Sequence, residues 1–114
     1  MPCQPEPRRV TCEGLGASRD RTLDDDELSR IAHALAHPAR IAIVRQLAGQ
    51  DGCVAGDIFE QLSLAQSTVS EHLRVLKDAS IVHSISQGNR MYYCLDGDLL
   101  ACFSSIVARI ANEA

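Results

Sequence analysis

The first apolar stripe along the chain predicts an amphipathic helix. Its members recur at helical spacing and are Leu28, Ile31, Ala32 and Leu35. Asp24 and Glu27 have the spacing of a capping box, and acidic residues suit the positive end of a helix dipole, so this helix should begin at Asp24. His37 precedes a proline and is pushed out of the helical conformation, which ends the helix. Pro38 can then open a second, mostly buried helix, which Gly49 should stop.

The middle of the chain predicts two more helices joined by a tight connection. A short helix should cover about residues 55–62, and a longer one residues 66–78. In the longer helix Val69, Leu73 and Leu76 share one face, whereas the remaining positions are rich in hydrogen-bonding side chains. This segment is therefore amphipathic, with an outer face suited to polar recognition.

A hairpin and a final helix complete the pattern. Residues 81–86 and 91–95 read as strands, and the turn signal at residues 87–90 joins them. Asp96 or Asp98 then caps a last helix, whose apolar stripe consists of Leu99, Phe103, Ile106 and Ile110. One small domain cannot easily bury the stripes of both its first and last helices. We therefore expect these two helices to pair across a dimer.

Length and composition limit the organisation to one domain with a loose end. The chain has 114 residues. Residues 1–22 lack apolar periodicity and are rich in proline, glycine and arginine, which predicts a flexible N-terminal arm, and residues 23–114 form the ordered domain. The start of the chain lacks the apolar core of a secretory signal, and the apolar runs are too short to cross a bilayer. We expect a cytoplasmic protein that does not associate with membranes.

The order helix, short turn, helix and hairpin is that of a winged helix-turn-helix, a mainly α fold with a β-hairpin wing. A major groove admits one helix, and its base edges are read by side chains with defined donors and acceptors. The candidate DNA-binding residues are Gln66, Ser67, Thr68, Ser70, His72, Arg74, Lys77 and, on the hairpin, Arg90. The formal charge of −4 argues mildly against nucleic acid, but the acidic run at residues 24–27 lies away from this segment.

Three segments closely resemble the ArsR/SmtB family of bacterial metalloregulators: residues 34–44, the helix at 66–79, and the turn and strand at 88–93. The resemblance covers about residues 28–112. It implies a homodimer that occupies a palindromic double-stranded operator and dissociates when its inducer binds. Many relatives carry a capping Ser where this chain has Ala65, and Ser63 with Gln66 could make a substitute capping box. Under this resemblance His37 and Arg40 are structural, and His37 is not a metal ligand.

The cysteines are the candidates for sensing the inducer. Residues 97–114 contain no histidine, so the last-helix metal site of some relatives looks absent. Arsenic-, cadmium- and lead-sensing relatives often carry Cys-Val-Cys at the start of the helix that precedes the recognition helix, which here is the helix at residues 66–78. This chain keeps only the first thiol, Cys53. A soft ion prefers thiolates, and a trigonal site needs three. Cys3 and Cys12 on the arm can supply the others, with arsenite the favoured inducer and cadmium or lead as alternatives.

Other interpretations of the cysteines stay open. Cys94 and Cys102 straddle the corner between strand and last helix, and Cys53 can join them because this segment often pairs with the returning wing strand. A thiol redox or persulfide switch is a different sensor class, and an inducer-free winged-helix regulator is another. An enzyme is not expected, because a catalytic cysteine needs an adjacent base and a cleft.

Overall fold

The computed structural model describes residues 22–48 and 53–114. Within these ranges the elements follow the order α1 (Asp25–Ala34), α2 (Pro38–Leu47), β1 (Cys53–Val54), α3 (Ala55–Leu62), α4 (Gln66–Asp78), β2 (Val82–Gln87), β3 (Arg90–Leu95) and α5 (Gly97–Glu113). This order confirms the predicted winged helix-turn-helix, in which α3 and α4 form the helix-turn-helix and the β2–β3 hairpin forms the wing. Residues 1–21 of the predicted arm, which was expected to cover residues 1–22, and the predicted stop at Gly49 lie outside the described residues.

Local capping explains where the first two helices begin. The Asp24 carboxylate accepts a hydrogen bond from the Glu27 backbone N–H at 2.8 Å, and Glu27 Oε1 accepts one from the Asp24 N–H at 3.2 Å. The predicted capping box is therefore confirmed. Pro38 stands at the start of α2, also as predicted, and His37 is the N-cap of that helix.

The start of α4 differs from the prediction. Its N-cap is Ala65, and no side chain caps it by a hydrogen bond. The substitute capping box of Ser63 with Gln66 is thus wrong. Ser63 lies two residues before the N-cap and has a φ of 55°, in the left-handed region, where it makes the turn between α3 and α4.

The three strands form one antiparallel sheet in the order β1-β3-β2. Cys53 in β1 lies opposite Tyr93, which confirms that the segment before α3 pairs with the returning wing strand. In the hairpin, Gln87 lies opposite Arg90, which confirms the predicted turn at residues 87–90, and each strand extends one residue further into it than expected. Gly88 has a φ of 63° at the first position of this turn, where the left-handed backbone favours glycine.

The core draws apolar side chains from both ends of the described chain and surrounds the inner face of α4. The three predicted residues of that face, Val69, Leu73 and Leu76, are all buried. They pack in one cluster with side chains of α1, α2, α3, the start of β2 and α5. Burying such side chains contributes about 1.5–3 kcal/mol each. The recognition helix is therefore held by its apolar face while its outer face stays open.

The outer ends of α1 and α5 leave apolar surface uncovered. Val107 and Ile110 on α5 are 46% and 59% exposed. Together with Leu28, Ala32 and Phe103 they line a shallow groove between the two helices. In the part of the chain described, no helix combines the length and the apolar character that crossing a membrane requires.

The contrast between the two N-caps gives a stability prediction. Ala65→Ser should raise the free energy of unfolding by about 1 kcal/mol, because Ser supplies the acceptor that α4 lacks. Asp24→Ala should lower it by about as much, because that acceptor is present in α1. Urea unfolding followed by circular dichroism measures both. Equal stability of Ala65→Ser and the wild type would show that this helix start is satisfied in another way.

Candidate nucleic-acid interface

Most of the predicted DNA-binding residues lie together on the outer face of α4. Four of the predicted side chains are exposed in the first half of the helix, and they are Gln66, Ser67, Thr68 and Ser70. The opposite face is buried in the core. A helix anchored on one side and open on the other presents amide and hydroxyl groups that can reach base edges or phosphates.

Arg74, predicted to contact phosphate, is held by two carboxylates of its own helix. Its guanidinium lies 2.5 Å from Glu71 Oε1 and 3.0 Å from Asp78 Oδ2, and its side chain is 59% exposed. The hydrogen bond with Arg74 lowers the pKa of Glu71, and the same bond raises the pKa of Arg74. Arg74 therefore presents much less net positive charge to DNA than the sequence indicated.

Lys77 and Arg90 lie on different elements of the interface. Lys77 is exposed on the last turn of α4, and within the described ranges it makes no ion pair. Arg90 is exposed as the first residue of β3, beside the wing turn. A helix in the major groove and a wing beside it would bring these cations to phosphates flanking the groove.

Arg40 joins the recognition helix to α1 and α2. From α2 its Nε donates to the Ala34 carbonyl at 2.6 Å and a terminal nitrogen lies 3.3 Å from the His33 carbonyl, both at the end of α1. Its other terminal nitrogen lies 3.4 Å from Nδ1 of His72 on α4. These contacts agree with the prediction that Arg40 has a structural role, although no sequence signal indicated His72 as its partner.

His37 and His72 lie side by side at this junction. Their ring centroids are 4.6 Å apart with the planes at 53°. Nδ1 of His37 accepts a hydrogen bond from the Ala39 backbone N–H at 3.1 Å, so His37 caps α2, in agreement with a structural role. Burial is the largest cause that lowers the pKa of His72 below its ordinary value of 6.5, and the neighbouring Arg40 guanidinium acts in the same direction. His72 is therefore neutral at physiological pH.

A second polar junction, which the sequence reasoning missed, connects the wing to α5. The side chain of Asp96 is 2% exposed, and its Oδ2 lies 2.8 Å from Nε2 of His83 on β2. Its Oδ1 accepts the Leu99 backbone N–H at 3.0 Å, which makes Asp96 the N-cap of α5. The sequence offered Asp96 as a cap, but nothing in it indicated the contact with His83.

Among the residues that the structure describes, the cysteines do not form a complete thiol site. Cys3 and Cys12 lie outside the described residues, as does the side chain of Cys53. Cys94 is buried and disulfide-bonded, and Cys102 is buried as well. Among the described residues, no three His, Cys, Asp or Glu side chains are grouped so that they could hold a metal ion. Both cysteine sets remain predictions.

Comparisons with known proteins agree with the geometry. A family model described as a helix-turn-helix domain matches residues 35–85. The chain is 35% identical over 111 residues to the transcriptional repressor SmtB of Mycobacterium tuberculosis, covering 96% of this chain and 81% of that protein. It is 34% identical over 74 residues to an arsenical resistance operon repressor of Staphylococcus xylosus, covering 65% and 70%.

A solved structure shares the fold. It is the homodimeric winged helix-turn-helix DNA-binding domain of a possible ArsR-family regulator from Mycobacterium bovis, 28% identical to this chain. The TM-score is 0.63, and the match covers 77% of this chain and 81% of that one.

The lowered pKa of His72 predicts an acid-sensitive fold. The unfolded chain takes up this proton near pH 6.5, whereas the folded chain takes it up only at lower pH. The contribution of His72 to the free energy of unfolding is therefore complete above pH 6.5 and is lost as the pH falls below that value. Urea unfolding at pH 7.5 and 5.5 measures this effect. Between these pH values the free energy of unfolding should fall less for His72→Gln than for the wild type. His33→Gln, on the exposed side of α1, is the control and should behave as the wild type does.

Proposed function

This chain belongs to the ArsR/SmtB family of DNA-binding transcriptional repressors, and from that premise we propose that a thiophilic metalloid or metal ion releases it from a palindromic operator. Arsenite is the favoured inducer, with cadmium and lead as alternatives. The DNA-binding half of the proposal is carried by one observation: α4 is anchored by its buried face and exposes a row of hydrogen-bonding side chains. The inducer half rests on thiol chemistry and on family relatives.

We assign the reading of bases to the first half of α4. Gln66 can pair with adenine through its amide, and the hydroxyls of Ser67, Thr68 and Ser70 can reach bases or phosphates. Lys77 and Arg90 supply charge to the backbone, with Arg74 joining them where phosphate displaces its carboxylate partners. His72 stands at the edge of this face, where backbone contacts are expected.

The repressor acts as a homodimer through α1 and α5 in this proposal. The groove between these helices exposes Val107 and Ile110, which a second copy would cover. A related winged-helix domain from Mycobacterium bovis is homodimeric. A two-fold dimer places two recognition helices in successive turns of the major groove, and such an arrangement requires a palindromic operator.

The inducer site that we propose consists of Cys3, Cys12 and Cys53. Soft ions bind thiolates more strongly than nitrogen or oxygen ligands, and three thiolates satisfy a trigonal site. A relative in Staphylococcus xylosus is a repressor of an arsenical resistance operon, which supports arsenite as the ligand. About ten extended residues can span roughly 30 Å, so arm cysteines can reach Cys53 on either subunit.

Release follows from linkage between inducer and DNA. Cys53 opens β1, which is followed directly by α3, the first helix of the helix-turn-helix. A ligand bound at this point changes the setting of α3 and α4 relative to the rest of the dimer. If the inducer binds more tightly to a dimer whose recognition helices do not fit the groove, it shifts the population away from DNA.

A thiol redox switch is the second candidate, because the structure holds Cys94 in a disulfide. Cys94 lies opposite His83 on the wing and two residues before Asp96, the cap of α5. Forming or breaking the disulfide of Cys94 would therefore affect both the wing and α5, one of the two proposed dimer helices. The same repressor would then respond to oxidant and reductant without any metal ion.

The dimer proposal predicts that charge in the groove separates the subunits. Val107→Glu together with Ile110→Glu should convert the dimer to monomer and weaken operator binding at least tenfold, because carboxylates would be buried without partners. Light scattering coupled to gel filtration measures the mass. Ser104→Glu with Ser105→Glu, on exposed positions of α5 outside the groove lining, is the matched control and should remain dimeric. A wild type that is monomeric at micromolar concentration contradicts the proposal.

The inducer proposal predicts a thiol-dependent release. Fluorescence anisotropy of the reduced protein on a palindromic operator, selected by the wild type from random duplexes, should fall on stoichiometric addition of arsenite. Cys53→Ser should bind the same operator but fail to respond, because one of three thiolates is missing. Cys102→Ala is the control, and it should respond as the wild type does.

The same titration separates the alternatives. A normal response of Cys53→Ser would contradict the arm site and favour Cys94 with Cys102. Release by oxidant alone, reversed by reductant and absent in Cys94→Ala, would establish the redox switch. Retained binding with every soft ion and in both redox conditions would leave an inducer-free regulator.

A further inference from the structure

We propose that His37 and His72 together bind one phosphate of the DNA backbone, each donating a hydrogen bond from Nε2. This inference rests on the DNA-binding function and adds His37, at the start of α2, to a surface so far confined to α4 and the wing. His37 is exposed and His72 is half-buried, so both rings border solvent.

The hydrogen bond of His37 fixes where its proton lies. The Ala39 backbone N–H can only donate, so Nδ1 of His37, 3.1 Å away, must accept. A neutral imidazole with an accepting Nδ1 carries its hydrogen on Nε2. The N-cap role of His37 therefore leaves an N–H donor on the other side of the ring.

The same logic applies to His72. A guanidinium has donors and no acceptor, so the 3.4 Å contact between Arg40 and Nδ1 of His72 is a hydrogen bond only in the tautomer whose Nδ1 accepts. In that tautomer the hydrogen of the neutral ring also lies on Nε2, and the lowered pKa of His72 favours the neutral ring. Two unrelated contacts, one from the backbone and one from a side chain, thus select the same tautomer in both rings.

Two neighbouring rings in this state present two donors that cannot satisfy each other. Water satisfies them in the free protein, and an anion with several acceptor oxygens can replace that water. The ring centroids are 4.6 Å apart, but two Nε2–H donors cannot hydrogen-bond to each other, and both Nδ1 atoms are already used. A phosphate group has several acceptor oxygens on one small centre and can receive both donors. A metal ion does not fit, because neither ring has a free lone pair to offer it.

The charges around the pair favour an anion. The Arg40 guanidinium touches His72 directly. The nearest carboxylate along α4, that of Glu71, is bound by Arg74 at 2.5 Å and 3.1 Å. The pair also lies where α2 meets α4, beside the face that reads bases, and backbone phosphates border the groove that such a helix occupies.

The test uses variants that keep each structural contact and remove only the outward donor. His37→Asn retains an oxygen that can cap α2, and His72→Asn retains an acceptor for Arg40. Each should lower operator affinity about threefold to tenfold, as expected for one neutral hydrogen bond, without lowering thermal stability. His72→Gln, whose amide N–H lies near the position of Nε2, should restore much of the affinity. His33→Asn is the matched control and should bind as the wild type does.

A phosphate scan locates the contact. Single methylphosphonate substitutions along the selected operator should reveal one position per half-site that weakens the wild type about threefold or more. At that position His37→Asn and His72→Asn should show no further loss, and the double variant should lose less than the product of the two single effects. The salt dependence of binding should stay unchanged in both, whereas Lys77→Ala should reduce the log–log slope by about 1.

Each contrary outcome is decisive for a different claim. Wild-type affinity in both Asn variants, or a methylphosphonate profile identical to that of the wild type, overturns the phosphate site and leaves the repressor function intact. Failure of the wild type to select any duplex overturns the DNA-binding function itself.

Discussion

The guanidinium of Arg40 fixes the relation between three helices, and the DNA-binding surface depends on it. It extends from α2, satisfies carbonyl groups of Ala34 and His33 at the end of α1, and reaches His72 on the recognition helix. Carbonyl groups at a helix end have no partner within the helix, so a planar group with five donors stabilises them well. The angle at which α4 leaves the core is therefore set by a polar side chain as well as by apolar packing.

Asp96 connects the wing to α5 in a similar way, through polar contacts of its side chain and backbone. One carboxylate oxygen caps α5, the other meets His83 on the wing strand, and the Asp96 N–H donates to the Ile81 carbonyl at 2.8 Å. Each helix of the proposed dimer face, α1 and α5, is thus tied by one polar residue to an element of the DNA-binding face.

The sequence was informative where structure is local. The Asp24 capping box, Pro38 at the start of α2 and the buried stripe of α4 depend on neighbours a few residues away, and all were predicted. The wrong prediction of a cap at Ser63 shows where such local reasoning fails, because residue types alone do not reveal that the backbone at Ser63 is left-handed. The contacts of Arg40 with His72 and of His83 with Asp96 join residues 32 and 13 positions apart, so only the tertiary fold reveals them.

The charge distribution indicates how such a chain, with a net charge of −4, can hold DNA. Arg74 is occupied by Glu71 and Asp78, so phosphate must compete with two carboxylates for it. The remaining contacts proposed on α2 and α4 are mostly neutral donors and acceptors: amides, hydroxyls and two imidazoles held in a donor tautomer. Neutral hydrogen bonds add little long-range attraction but depend strongly on geometry. In the proposed function, a small turn of the helices would weaken these contacts, and this is how an inducer at the helix-turn-helix would release the operator.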